Sequence, residues 1–168
     1  NILRVPQDLK DPKDSKDPKR LNARMSMIGT IAVMGGGSWA TAIAKILLER
    51  NERIWWYLRR DDRIEDFKRL GHNPAYLTSV HFDVNRITFS SDINEVVRDA
   101  DIVILAMPSA FLKKFLEPLT VSLADKIVVS AVKGIIPGDY LTIVEHMNRY
   151  HNVPMSNLAV VTGPSHAE

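Results

Sequence analysis

Residues 34–40 read Met-Gly-Gly-Gly-Ser-Trp-Ala. They follow the apolar run Ile28–Met34 and precede Ser38–Arg50, whose apolar residues Ala40, Ile43, Ala44, Leu47 and Leu48 fall on one helical stripe. Gly35, Gly37 and Ala40 fit the spacing G-x-G-x-x-A between a strand and a helix. Gly35 permits a tight turn, Gly37 lets a diphosphate approach bare backbone, and Ala40 allows close helix–strand packing. The helix start adds unpaired N–H groups and partial positive charge. The chemistry expected here is capture of a dinucleotide diphosphate. No Gly-Lys-Ser/Thr follows, so a mononucleotide P-loop is excluded. Further on come Arg59 and Arg60, at the end of a second apolar run and 22 and 23 residues after Gly37. An acid at such a position accepts from a ribose 2′-hydroxyl, whereas a guanidinium favours a 2′-phosphate. Arg59 predicts that NADP(H) is bound at least as well as NAD(H).

These groups need a scaffold. Expected strands are Ile28–Met34, Arg53–Leu58, Arg86–Phe89, Asp101–Ala106, Lys126–Val132 and Leu158–Thr162. Expected helices are Ser38–Arg50, Asp61–Leu70 ended by Gly71, Asp92–Arg98, Ser109–Leu116 and Gly138–Tyr150, with 71–85 irregular around Asn73-Pro74. Strands apolar on both faces and separated by helices predict an α/β fold. It is a Rossmann-type doubly wound, mostly parallel six-stranded sheet with helices on both faces. Trp55 and Trp56 are strand neighbours, so they point to opposite faces and into core.

Composition narrows the alternatives. There are no cysteines, which removes disulfides and thiolate chemistry and fits a cytoplasmic location. The longest apolar run, Ile102–Met107, is far short of the roughly 20 residues of a bilayer span. Of the 22 bases and 20 acids, residues 1–24 carry seven bases and four acids, so the remainder is nearly neutral and unlike a nucleic-acid binder. Residues 8–19 repeat Asp-x-Lys four times, broken by Pro12 and Pro18. Residues 1–26 are expected to be a leader with little core, either disordered or a remnant of an expression vector. The coenzyme domain is expected over 27–168. The ending Gly163–Glu168 reads as the start of a helix, which predicts further polypeptide beyond it. His72, His81, His146, His151 and His166 lack metal-ligand spacing and are expected at the surface or in caps, and Ser165-His166 is no catalytic dyad.

Five segments occur in an order that resembles bacterial-type NAD(P)-dependent glycerol-3-phosphate dehydrogenase. They are 35–44 (GGGSWATAIA), 73–77 (NPAYL), 100–109 (ADIVILAMPS), 131–135 (AVKGI) and 162–168 (TGPSHAE). The resemblance implies reversible hydride transfer between NAD(P)H and dihydroxyacetone phosphate, giving sn-glycerol 3-phosphate for phospholipid synthesis. It implies that NADP or NAD contacts Gly35, Gly37, Ser38, Trp39, Arg59, Arg60, Pro108, Lys133 and Ala167. It also implies that Lys133, Gly163 and Ser165 meet the substrate. The family places its catalytic lysine in a helical C-terminal domain, absent here, so no catalytic residue is expected in this chain and the chain alone is expected to be inactive. A homodimer of the full-length enzyme is compatible with this reading; a nucleic-acid partner is not. The chain departs from the family in Ala40 for Gly, Met107 for Val and His166 for Phe, the last making the substrate wall more polar. Two other readings stay open: another two-domain dehydrogenase of a hydroxy acid or ketone, and a non-catalytic dinucleotide sensor.

Overall fold

The short apolar runs IAVM and IVIL have no polar face to give to water, so each needs cover on both sides. The computed structural model describes residues 29–161 and provides that cover. Its strands are β1 (Ile31–Met34), β2 (Ile54–Tyr57), β3 (Ile87–Ser90), β4 (Ile102–Leu105), β5 (Ile127–Ser130) and β6 (Leu158–Val160). Its helices are α1 (Ser38–Leu48), α2 (Asp61–Leu70), α3 (Ile93–Asp99), α4 (Leu112–Leu116) and α5 (Ile143–His151). The strands form one parallel sheet in the order β3-β2-β1-β4-β5-β6.

Alternation along β1 builds two cores. Ala32 and Met34 face one layer with Val103, Leu105, Val128 and the α3, α4 and α5 residues Val97, Leu112 and Met147. Ile31 and Val33 face the other, with Ile104, Trp56 and the α1 and α2 residues Ala44, Leu48, Ile64 and Phe67. Burying each large apolar side chain contributes about 1.5–3 kcal/mol. Trp56 is fully buried, with its ring centroid 5.1 Å from that of Phe67 and 5.6 Å from that of Phe82. Trp55 faces the opposite layer.

Three expectations change. The helix expected from Gly138 begins only at Ile143, because Gly138 (φ 86°) and Tyr140 (φ 56°) turn the chain back and Ile136 N–H bonds the Leu141 carbonyl at 2.8 Å. Thr142 and Glu145 then form a reciprocal capping box, and those bonds from Thr142 hold the Glu145 carboxyl below its usual range. The segment expected as one helix from Ser109 starts as a 3-10 turn, Ser109–Phe111, and is α-helical only over Leu112–Leu116. His146 is not at the surface: it is 5 % exposed on the inner face of α5, beside Ile143 and Met147. Burial lowers its pKa against the opposing pull of Asp139. The expected leader and the 162–168 ending, His166 included, lie outside the described residues.

Candidate functional site at the carboxyl edge of the sheet

The first residues past the strands are laced together. Leu58 N–H bonds Ser90 O, Gly35 N–H bonds Tyr57 O, Ala106 N–H bonds Met34 O, Ala131 N–H bonds Leu105 O, and Val161 N–H bonds Ser130 O. One continuous edge therefore carries the loops that hold the candidate residues. The strand order reverses between β1 and β4, where loops depart in opposite directions and leave a crevice.

The glycine turn sits at that crevice. Gly35 has φ 133°, and a Cβ there would stand 2.3 Å from the Ala106 carbonyl oxygen, so only glycine fits. Ala40 is fully buried, its Cβ 3.7 Å from the same point. Gly37 differs: it is the N-cap of α1 in ordinary extended geometry, and a Cβ there would meet nothing within 4 Å. The three glycine carbonyls are all occupied. Gly35 O accepts from Trp56 Nε1 at 2.7 Å, Gly36 O from Asn73 Nδ2 at 3.1 Å, and Gly37 O from Thr41 N at 3.0 Å and Thr41 Oγ1 at 2.9 Å. The first amides of a helix have no intrahelical acceptor. No side chain caps α1, and its first turn holds no acid, whereas α2 opens with Asp61 and Asp62. The turn thus offers donors and open space, and withholds negative charge. An anionic diphosphate fits it.

Ser38 and Trp39 are exposed on the first turn of α1. Trp39 Nε1 donates to Ala131 O at 3.0 Å, so the indole reaches past the end of β4 to the end of β5. Arg59 and Arg60 follow β2, next to the turn. Arg60 is committed to Asp62, with Nε to Oδ1 at 2.9 Å and a second, shorter contact; this pairing draws the Asp62 pKa down. Arg59 is exposed and has no carboxylate partner among the described residues. Its charge opposes, without overcoming, the burial that raises the Tyr57 pKa. Pro108 opens the turn after β4. Gly134 lies against it, since a Cβ at Gly134 would be 3.7 Å from Ser109 Oγ. Lys133 is exposed beside Gly134, with no ion pair among the described residues. The fold thus brings Gly35, Gly37, Ser38, Trp39, Arg59, Arg60, Pro108 and Lys133 to one edge. Gly163, Ser165 and Ala167 lie outside the described residues. Among the described residues no acid–histidine cluster could hold a metal ion, and no helix is long and apolar enough to cross a membrane.

Sequence reasoning missed the supports of the turn. Trp56 is legible as core, but not as the donor to Gly35. Asn73 reads as a loop breaker, yet it is 4 % exposed. Thr41 looks like any helical threonine. Its position four residues after Gly37 is the one local hint, since a threonine hydroxyl bonds back to the carbonyl four residues earlier.

Comparison with known proteins gives a consistent result. Residues 30–168 match the family model described as NAD-dependent glycerol-3-phosphate dehydrogenase N-terminus. A curated relative from Ectopseudomonas mendocina, named glycerol-3-phosphate dehydrogenase (NAD(P)+), is 32% identical over 144 residues, covering 86% of this chain and 42% of the relative. One of the same name from Bacillus subtilis is 32% identical over 140 residues, covering 82% and 40%. The solved glycerol-3-phosphate dehydrogenase of Coxiella burnetii superposes with TM-score 0.67 at 24% identity, covering 82% of this chain and 41% of that one. The DsGPDH structure of Dunaliella salina superposes with TM-score 0.70 at 18% identity, covering 87% and 28%. The chain spans about 40% of the length of the curated relatives it matches.

Proposed function

This chain belongs to the NAD-dependent glycerol-3-phosphate dehydrogenase family, whose N-terminal part it matches, and on that premise we propose that it holds NAD(H) or NADP(H) across the Gly35–Ala40 turn. The whole protein, on this reading, interconverts dihydroxyacetone phosphate and sn-glycerol 3-phosphate and so supplies phospholipid synthesis. The observation that carries the proposal is the turn itself: three glycine carbonyls occupied from behind, with unclaimed helix-start amides and an open Gly37 in front. The chemistry that such a coenzyme supplies is movement of a hydride to or from the substrate carbon.

The chain's own residues bind and orient. Amides at Gly37, Ser38 and Trp39 take the diphosphate, and the Trp39 indole, anchored to Ala131, shields it from water. Arg59, free of a carboxylate, takes a 2′-phosphate by forked hydrogen bonds; Arg60 stays with Asp62 and bounds the pocket. Pro108 stiffens the wall between coenzyme and substrate. Lys133 puts a cation where negative charge develops on the substrate oxygen, a preorganised stabilisation. By resemblance to the family's motif, Gly163 and Ser165 are assigned to the substrate and Ala167 to the coenzyme. We place the whole protein in the cytoplasm as a homodimer, readings tested by fractionation and light scattering.

Fluorescence titration of the protein with NADH and with NADPH tests the binding half; no saturable binding of either overturns it. An assay of the full-length protein with dihydroxyacetone phosphate and each reduced coenzyme tests the other. Oxidation of the coenzyme that depends on this ketone is expected, and its absence refutes the substrate.

A further inference from the structure

We propose that Asn73 is a positioning residue for the coenzyme, acting through the glycine turn rather than by touching the ligand. The inference rests on the diphosphate reading of that turn. Asn73 is 4 % exposed and every part of its amide is used. Nδ2 donates to Gly36 O at 3.1 Å and to Thr41 Oγ1 at 2.8 Å. Oδ1 accepts from Ala75 N at 3.0 Å and Tyr76 N at 3.2 Å.

The proton directions follow from the inventory of donors. Asn73 Nδ2 brings two protons and no lone pair, so Thr41 Oγ1 must accept from it. The single Thr41 hydroxyl proton is then directed to Gly37 O, 2.9 Å away. One amide thereby occupies two consecutive carbonyls: Gly36 directly, and Gly37 through Thr41. A peptide plane has N–H and C=O on opposite sides, so pinning these carbonyls inward points the Gly37 and Ser38 amides outward. Without Asn73, Gly36 O loses its partner and the Thr41 hydroxyl is free to rotate. The Gly36 carbonyl can then turn toward an anion in place of the Gly37 amide, while Gly37 O keeps its bond from Thr41 N at 3.0 Å. The other half of Asn73 organises the 73–76 turn, so the loop that supplies the clamp is itself set by the same side chain.

The test is coenzyme binding and turnover in the full-length protein, with Asn73→Ala, Thr41→Val and Thr41→Ser. Asn73→Ala should raise the Kd of NADH or NADPH about tenfold or more, because the released Gly36 carbonyl can turn toward the diphosphate and an amide–anion hydrogen bond is lost. Thr41→Val, which removes the relay without adding charge, should raise it severalfold. Thr41→Ser, which keeps the hydroxyl, should stay within about twofold of the parent. The Thr41→Val effect should shrink when added to Asn73→Ala, since both act along one chain of bonds. Coenzyme KM should rise while kcat changes little, a split that general loosening of the fold would not produce. Should Asn73→Ala fail to fold, the Thr41→Val and Thr41→Ser pair decides alone. Folded variants that bind coenzyme like the parent overturn the positioning role. A parent that binds no coenzyme overturns the diphosphate reading instead, so the two failures are distinct.

Discussion

Gly37→Ala separates binding from folding better than any other change at the turn. Gly37 has φ −83° and ψ −179°, a conformation open to any residue, and a Cβ there meets no atom within 4 Å. Alanine is a poorer N-cap than glycine by about 1 kcal/mol, while lowering the entropy of the unfolded chain by about 0.4–1 kcal/mol works the other way. Net stability should therefore shift by less than about 1 kcal/mol, a few degrees in Tm for a domain of this size. The space that the methyl group fills is the space in front of the helix-start amides. A hydrogen bond from an amide to a charged oxygen contributes about 1.5–3 kcal/mol. Displacing the diphosphate enough to lose one such bond weakens coenzyme binding about 10- to 150-fold. Titration with NADH and NADPH, beside thermal melts of the same preparation, reads both quantities. Gly35→Ala is the contrasting control: with φ 133° and a Cβ 2.3 Å from the Ala106 carbonyl oxygen, it should lose about 3 kcal/mol or more of stability. Parental affinity in Gly37→Ala would refute the argument, as would a binding loss explained entirely by unfolding.

Arg59→Ala should weaken NADPH binding by an order of magnitude and leave NADH within about threefold, since only the former has a 2′-phosphate for the guanidinium to grip; paired titrations check this, and equal losses would remove Arg59 as the discriminator. Lys133→Ala in the full-length protein should lower kcat/KM by about 100-fold or more with an unchanged melt; near-parental turnover in steady-state kinetics would strip it of its role. Stability should also fall on acidification. Burial lowers the His146 pKa in the folded state, so the unfolded chain binds a proton first. Stability present above the usual histidine range is lost as pH drops below about 6.5 and on through the lowered folded value. His151, also lowered by burial, adds in the same direction. Asp139, held low chiefly by Lys113, contributes its own loss only further down, in the carboxylate range. Melting temperatures between pH 7.5 and 5 should show the decline, and His146→Leu should flatten it; an unchanged slope in that variant would mean other groups dominate.

What could be read without coordinates was local. A glycine pattern between an apolar run and an amphipathic run specifies a strand, a turn and a helix, because each residue's conformational limits act within a few positions of itself. Apolar runs with no polar face imply a sheet covered on both sides, and from there the crevice and the positions of Arg59, Pro108 and Lys133 at one edge follow. What stayed hidden depended on partners distant in the chain. Gly36 and Asn73 are 37 residues apart, and nothing in Asn-Pro distinguishes a buried clamp from an exposed breaker. The indole of Trp56 finds Gly35 across 21 residues only because β1 and β2 are paired in one register. His146 is buried because α5 packs that side chain beside Asp139, Tyr150 and His151, and Arg60 meets Asp62 at a helix start while both stay exposed. Backbone preference acts at short range and is written residue by residue. The partner of a polar side chain is chosen only when packing brings remote segments together, because a buried donor must take whatever acceptor the fold delivers to it.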